Sequence, residues 1–172
     1  MRVRDATEDD GAACAAIYAP YVTDTAITFE YEPPTAAGMS ARIAAAQQAH
    51  AWLVLEDDGR VVGYAYGGRH KERAAYRWSC EVSVYLDRTY HRAGVGRALY
   101  VALLARLAER GFRAVVAKMT LPNDASVGLH RTLGFRPVGV HERIGFKNGA
   151  WHDVAITQLD LVTSEDDPPP RD

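Results

Sequence analysis

The middle of the sequence alternates between strand-like and helix-like segments. Tyr76–Leu86 is rich in aromatic and β-branched residues and predicts a strand, and Ala114–Met119 predicts a second, buried strand. A segment of helical composition follows each of them, His91–Arg110 with leucines along one face and Asn123–Leu133. A strand that leads through a helix into another strand normally lies parallel to it, so we predict a partly parallel sheet.

Two hairpins flank this unit. Asp58-Gly59 and Asn148-Gly149 each separate two apolar, β-prone runs, and both dipeptides favour the tight turn that joins antiparallel strands. The paired runs are Ala51–Leu55 with Val61–Tyr66, and Val138–Phe146 with Trp151–Leu161.

The N-terminal part of the chain reads as a strand followed by two helices. Arg2–Arg4 predicts a short strand, and Thr7 can cap the helix after it. We expect that helix to end before Pro20, because proline removes a backbone donor and disfavours helix in the preceding residue. Tyr21–Pro34 is then a loop, and Thr35–His50, rich in alanine, predicts the second helix.

Length and composition set limits on the architecture and the partners. The 172 residues, 48% of them hydrophobic, suit a single domain over residues 1–163 and a proline-containing disordered tail at 164–172. The balance of 20 Lys+Arg against 22 Asp+Glu argues against a nucleic-acid partner. No apolar run approaches the roughly 18 residues of a membrane span, so we expect no membrane partner and a cytoplasmic location. Cys14 and Cys80 lie outside any metal-ligand spacing, which predicts buried free thiols and no metal.

A glycine-containing segment connects the first strand of the alternating unit to its helix, and it reads His91-Arg92-Ala93-Gly94-Val95-Gly96-Arg97. Two glycines let the backbone approach a ligand, and the first helical turn adds N–H groups and the positive end of the helix dipole, which together suit a pyrophosphate. A tight strand-to-helix turn explains the glycines equally well. The pattern GxxxxGK[ST] is absent, and Leu99 stands where GxGxxG needs its third glycine.

The segment resembles the acetyl-CoA signature of the GNAT superfamily of N-acetyltransferases, [Q/R]xxGx[G/A] before a helix, with His91 in place of the usual Gln or Arg. The resemblance extends over nearly the whole chain to the phosphinothricin N-acetyltransferases and their relatives that acetylate methionine sulfone and methionine sulfoximine. It rests on four further segments, Tyr76–Tyr85, Leu121–His130, Leu133–Phe135 and Gly145–Val154.

This resemblance implies the GNAT fold, an α/β (α+β) architecture with a mixed, mostly antiparallel sheet that is splayed between its fourth and fifth strands and has helices on both faces. It implies direct transfer of acetyl from acetyl-CoA, the co-substrate, to the α-amino group of a small amino-acid-like acceptor. It also implies a homodimer. Acetylation of another amine (a polyamine, an aminoglycoside or a protein N-terminus) and a non-catalytic acetyl-CoA sensor stay open as alternatives.

By the same resemblance, Glu81 is the general base that takes a proton from the acceptor ammonium, directly or through a water. A strand glutamate paired with an arginine is the structural alternative. His130 is the candidate acid for the leaving thiolate, with solvent as the alternative donor. An imidazole that is merely hydrogen-bonded between helix and strand explains His130 as well.

The resemblance places the remaining site residues in two groups. The coenzyme would be bound by Val84, Tyr85, Leu86, Arg92, Ala93, Gly94, Val95, Gly96, Arg97, Asn123 and Ser126. Helix capping accounts for Asn123 and Ser126 as well. The acceptor would be bound by Phe29, Lys71, Arg73, Tyr76, Arg77 and Trp78, whose cations suit an acidic acceptor, although a solvated basic loop has the same composition.

Overall fold

The computed structural model describes residues 1–90 and 92–162, and this part of the chain forms seven strands and four helices. The elements are β1 (Arg2–Asp5), α1 (Gly11–Asp24), α2 (Ala36–Ala49), β2 (Ala51–Asp57), β3 (Arg60–Arg69), β4 (Ser79–Leu86), α3 (Val95–Glu109), β5 (Ala114–Thr120), α4 (Asp124–Thr132), β6 (Arg136–Lys147) and β7 (Ala150–Asp160). Short 3₁₀ turns occupy Glu8–Asp10 and Ala74–Tyr76. His91 and the predicted tail at 164–172 lie outside the described residues.

The seven strands form one sheet in the order β1-β2-β3-β4-β5-β7-β6. Every neighbouring pair is antiparallel except β4 and β5, which are parallel. These two strands pair only from Ser79 to Glu81, opposite Ala114 to Val116, although both continue beyond that point. The predicted mixed sheet with a splay between its fourth and fifth strands is thus confirmed.

The sheet has a buried apolar layer on each face. One layer contains Leu99, Leu103 and Leu107 of α3, which follow one another at helical spacing and are fully buried. The other layer contains residues of α1 and α2, such as Ile17 and Ile43. Helices therefore cover both faces, as predicted.

The two predicted hairpins are present, and their turns have the expected backbone. Asp58 and Gly59 have φ values of 48° and 77°, and Asn148 and Gly149 have 52° and 76°. Two successive residues with positive φ are the requirement of a type I′ turn, which Asx-Gly sequences meet at low cost. The strand predicted from Tyr76 begins later, at Ser79, because Ala74–Tyr76 forms a 3₁₀ turn.

The prediction that the first helix ends before Pro20 is wrong, because α1 continues through Pro20 to Asp24. The proline removes one hydrogen bond of the helix, but the turn after it is held by tertiary contacts. Val22 is 1% exposed in the second apolar layer, and the Tyr21 hydroxyl donates to the carbonyl of Leu86 at 2.7 Å. Packing therefore outweighs the local preference for a break.

The segment between α1 and α2 is tied to the β6–β7 hairpin. The ammonium of Lys147, 2% exposed, donates to the carbonyls of Val22 and Thr28, both at 2.7 Å. The Tyr31 hydroxyl donates to the carbonyl of Phe146 at 2.6 Å. A buried cation is costly unless it is hydrogen-bonded. The segment therefore has to stay within hydrogen-bonding distance of Lys147 on the hairpin.

Within the described residues, no helix is long and apolar enough to cross a membrane. Over the same residues, no cluster of three or more His, Cys, Asp or Glu side chains is arranged to hold a metal ion. Cys14 and Cys80 are buried free cysteines, as predicted.

We predict that Lys147→Met lowers the free energy of unfolding by about 1–3 kcal/mol, since two buried carbonyls lose their donor. Urea denaturation measures the change. Lys71→Met, at an exposed lysine, is the matched control and should stay within about 0.5 kcal/mol of wild type. Equal stability of the two variants would show that the hydrogen bonds of Lys147 contribute nothing to the free energy of unfolding.

Candidate active site

A cleft opens where β4 and β5 part. Its outer part has a volume of about 400 Å³ and lies between the end of β4, the N-terminus of α3 and the first turns of α4. Eight of the predicted coenzyme-binding residues line it, namely Val84, Tyr85, Leu86, Gly94, Gly96, Arg97, Asn123 and Ser126. We call this part the outer cleft.

The glycine-containing loop ends at the N-terminus of α3. Gly94 is the N-cap, with a φ of 86°, and a Cβ added to it would meet no atom within 4 Å, so its backbone borders open space. Gly96 packs more tightly, since a Cβ there would lie 3.2 Å from a methyl carbon of Leu129. The first N–H groups of α3 have no partner within the helix, and Gly94, Gly96 and Arg97 line the outer cleft, an arrangement that fits a pyrophosphate.

The other predicted residues of this loop lie away from the cleft wall. The side chain of Val95 is 1% exposed and belongs to the apolar layer under α3, so only its backbone can contact a ligand. The Nη1 atom of Arg92 is 3.6 Å from Oδ2 of Asp57, and 58% of the Arg92 side chain is exposed. Ala93 is exposed as well.

The first turn of α4 forms the opposite wall. The side chain of Asn123 accepts from the N–H of Ser126 at 3.2 Å, so it caps the helix while it also lines the outer cleft. The capping alternative and the cleft position are therefore both observed.

A second, smaller cavity of about 50 Å³ continues inward from the outer cleft, and we call it the inner chamber. Ile27, Val84, Tyr85, Asn123 and Ser126 border both spaces. Residues found only around the chamber are Val82, Ser83, Tyr100, Lys118, Met119 and His130. The chamber therefore lies between the gap in the sheet and α4.

His130 is buried at the wall of this chamber and is hydrogen-bonded at both ring nitrogens. Its Nδ1 is 2.7 Å from the carbonyl oxygen of Ser126, which can only accept, so Nδ1 carries the proton. Nε2, 2.9 Å from the Tyr100 hydroxyl, then accepts from that hydroxyl in the neutral ring. Burial lowers the pKa of His130 and so favours the neutral form. The role of His130 as an acid, which needs a proton on Nε2, stays a prediction.

Glu81 lies at the last paired position of β4, where the two strands separate. Its neighbours Cys80 and Val82 face the apolar layer under α3, so alternation turns Glu81 to the opposite face of the sheet. Lys118 on β5 points to the same face, and its Nζ is 2.7 Å from Oε2 of Glu81. The ion-paired alternative for Glu81 is thus observed, with a lysine rather than an arginine, and its role as a base stays a prediction.

His70, the first residue after β3, is a further neighbour of Glu81. Its Nδ1 is 3.8 Å from Oε2 of Glu81, which is too far for a hydrogen bond. This buried nitrogen has no hydrogen-bond partner within residues 1–90 and 92–162. Burial, assisted by the nearby charge of Lys118, lowers the pKa of His70, which is therefore neutral at neutral pH.

The cations predicted to bind the acceptor are not on the cleft wall. Lys71, Arg73, Tyr76 and Arg77 line a separate cavity of about 240 Å³ beside His50 and Phe112. The ring of Tyr76 nevertheless lies 5.7 Å from that of His70, which connects this loop to Glu81. The guanidinium of Arg77 stacks over Trp78 at 5.1 Å.

Phe29 packs against the β6–β7 hairpin. Its ring lies over Gly145, where an added Cβ would collide with it, and 6.3 Å from the ring of His152. Ile27, two residues earlier, borders both the outer cleft and the inner chamber.

Sequence reasoning missed four residues that the structure brings to the site, Ile27, His70, Tyr100 and Lys118. One of them had a visible signal, because a lysine interrupts the otherwise uncharged run Ala114–Met119. A charge in a buried-type strand indicates a local opening in the packing.

The chain is similar in sequence to known proteins of one family. A family model described as an acetyltransferase (GNAT) domain matches residues 3–156. The chain is 39% identical over 161 residues to a phosphinothricin N-acetyltransferase of Streptomyces viridochromogenes, covering 94% of this chain and 88% of that protein. It is 35% identical over 161 residues to an L-methionine sulfoximine/L-methionine sulfone acetyltransferase of Pseudomonas paraeruginosa, covering 92% and 94%.

The structure is also similar to that of a GNAT superfamily phosphinothricin acetyltransferase from Sinorhizobium meliloti in complex with AcCoA. The TM-score is 0.92 at 34% identity, over 98% of this chain and 92% of that one. These findings confirm the resemblance seen in the sequence motifs. The chain belongs to the GNAT family of acetyltransferases.

Proposed function

We propose that this protein is an N-acetyltransferase that moves an acetyl group from acetyl-CoA to the α-amino group of a small amino-acid-like acceptor of the phosphinothricin, methionine sulfone or methionine sulfoximine class. The observation that carries the proposal is the position of Glu81. Its carboxylate lies where β4 and β5 part and already holds an ammonium group, that of Lys118, at 2.7 Å. The same carboxylate can hold the ammonium of an acceptor in its place.

The residues of the outer cleft fit the coenzyme. The N–H groups at the start of α3, together with Arg97, face the space beside Gly94, where a pyrophosphate can approach the backbone. The end of β4, from Val84 to Leu86, borders the same space and leads to the inner chamber. A thioester arm bound along this path would bring its carbonyl towards the chamber that Lys118 borders.

In the proposed reaction Glu81 accepts a proton from the acceptor ammonium, directly or through a water. The free amine nitrogen then forms a bond to the thioester carbonyl carbon and gives up its second proton to solvent, while the carbon–sulfur bond breaks to release coenzyme A as a thiolate. The thiolate takes up a proton from His130, once its Nε2 is protonated, or from solvent. Most of the acceleration comes from holding amine and thioester together in a productive geometry.

The environment of Cys80 supports direct transfer. Its thiol is fully buried in the apolar layer on the face of the sheet opposite to Glu81, and burial raises its pKa to about 12. A thiol that is neither ionised nor accessible cannot serve as an acyl carrier.

The acceptor class is supported by the two relatives named above, which act on phosphinothricin and on methionine sulfoximine or sulfone by their names. The ammonium of Lys118 beside Glu81 agrees with an acidic acceptor, and the loop after β3 carries two further cations, Lys71 and Arg73. The same charges would repel a polyamine or an aminoglycoside.

We expect turnover with phosphinothricin, methionine sulfone and methionine sulfoximine, and little or none with spermidine, an aminoglycoside or a peptide N-terminus. Release of free thiol from acetyl-CoA measures each rate. Faster turnover of the polycations would overturn the acceptor class. Tight binding of acetyl-CoA without turnover of any amine would favour the sensor.

Glu81→Gln should reduce kcat by about 10²–10⁴-fold, because the amide cannot accept the proton. The dissociation constant of acetyl-CoA, measured by titration calorimetry, should stay unchanged, since Glu81 lies outside the walls of the outer cleft. Glu72→Gln is the matched control, an exposed carboxylate paired with Arg69 in the loop after β3, and should keep wild-type turnover. Full activity of Glu81→Gln would remove Glu81 from the mechanism.

Gly94→Asp should abolish acetyl-CoA binding, because it puts a side chain and a negative charge where the pyrophosphate is expected. A substitution at positive φ also strains the backbone, so Gly149→Asp is the control, with a φ of 76°, open space around it and no part in the walls of the outer cleft or the inner chamber. Loss of affinity in the first variant only would support the assignment, whereas retained affinity in Gly94→Asp would contradict it.

The homodimer and the cytoplasmic location stay predictions. The edge strand β6 leaves Val138, Val140 and Ile144 more than half exposed, at 54%, 53% and 58%, which is consistent with a protein contact there. The mass in sedimentation equilibrium would test the dimer, and cell fractionation the location.

A further inference from the structure

The ion pair between Glu81 and Lys118 lies where an acceptor amine has to bind. The Nζ of Lys118 is 2.7 Å from Oε2 of Glu81, the separation expected between a base and the ammonium that it deprotonates. Lys118 also borders the inner chamber, a cavity of about 50 Å³. An acceptor ammonium that binds Oε2 of Glu81 at this position takes the place of the ammonium of Lys118.

The displaced lysine stays close to the acceptor. Lys118 is the only lysine or arginine among the chamber-lining residues in the described part of the chain. The cations of the loop after β3, Lys71 and Arg73, border another cavity. The positive charge nearest to an acceptor nitrogen on Glu81 is thus that of Lys118.

We infer that Lys118 is the residue that recognises the α-carboxylate of the acceptor, by exchanging its ion pair with Glu81 for one with the incoming amino acid. This inference rests on the proposed function. In the exchange the acceptor ammonium takes the place of Nζ on Glu81, and the carboxylate, two bonds away from the nitrogen, pairs with the released Nζ.

The balance of charge favours this exchange. Before binding, the ammonium of Lys118 pairs with the carboxylate of Glu81. After binding, Lys118 pairs with the carboxylate of the acceptor and Glu81 with its ammonium, so no charge is left without a partner. The two side chains are about one-third exposed, 35% for Lys118 and 31% for Glu81, and such a solvated pair is weak and opens easily. An amine without a carboxylate would instead leave the lysine beside a second positive charge.

His70 supplies independent support for a polar ligand here. Its buried Nδ1 has no hydrogen-bond partner in the described residues and is 3.8 Å from Oε2 of Glu81. A neutral imidazole at that distance can share an acceptor ammonium with the carboxylate. An acceptor ammonium on Glu81 would thus have His70 and Lys118 as its other polar neighbours. Of these groups only Lys118 can pair with a carboxylate at neutral pH.

The test compares methionine sulfone with its α-amide, which keeps the amine and the side chain but lacks the negative charge. Both acceptors are assayed with wild type, Lys118→Met and Lys118→Arg. For Lys118→Met we expect kcat/KM on the acid to fall by about tenfold or more, through KM, while the amide changes by less than about threefold. Lys118→Arg should keep most of the preference for the acid.

Each effect is the ratio of kcat/KM between two variants on the same acceptor. The difference in basicity between the amines of the acid and the amide therefore cancels. A role of Lys118 in folding or in tuning Glu81 would change both acceptors by the same factor, and that result overturns the inference. Collapse of the acid preference in Lys71→Met but not in Lys118→Met also overturns it and assigns the carboxylate to the loop after β3.

The outcomes separate this inference from the proposed function. A wild-type enzyme that acetylates acid and amide equally well overturns the role of Lys118 and leaves the proposed function in place. A wild-type enzyme that acetylates neither, while the assay detects its activity on another amine, overturns both.

Discussion

The parallel pairing of β4 and β5 stops at Glu81 and Val116, and the site depends on this early end of the ladder. Two strands that stayed paired to their ends would close the sheet and leave no path through it. Here β4 continues beside β3 and β5 continues beside β7, so each strand keeps one partner while the gap between them opens. The backbone remains ordered along the gap because only one side of each strand is released.

This geometry also explains how charged groups can lie in the middle of a sheet. Glu81 and Lys118 flank the point of separation, where the opening between the strands keeps both side chains partly exposed. A fully buried carboxylate or ammonium at either position would be strongly unfavourable. In the free enzyme the two groups pair with each other, and a zwitterionic acceptor offers an ammonium for Glu81 and a carboxylate for Lys118.

The segment between α1 and α2, which carries Ile27 to the cleft, is held by hydrogen bonds to a distant part of the chain. Lys147 connects the end of α1 and the segment after it to the β6–β7 hairpin, and Phe29 fills the surface above Gly145. The same packing carries α1 past Pro20. Local preference and tertiary structure disagree at this proline, and the buried contacts of Val22 and Tyr21 decide the outcome.

Much of the fold followed from local patterns in the sequence. Apolar periodicity predicted the strands and α3, the two Asx-Gly pairs predicted the hairpins with their positive φ values, and motif resemblance predicted the family and the cleft residues. These features depend on neighbours within a few residues, or on motifs that a sequence displays directly.

The partner of Glu81 could not be predicted in this way. Lys118 lies on β5, Tyr100 on α3 and His70 in the loop after β3. Only the parting of β4 from β5 and the packing of α3 and α4 bring them together, because contacts between distant residues depend on tertiary geometry rather than on local sequence.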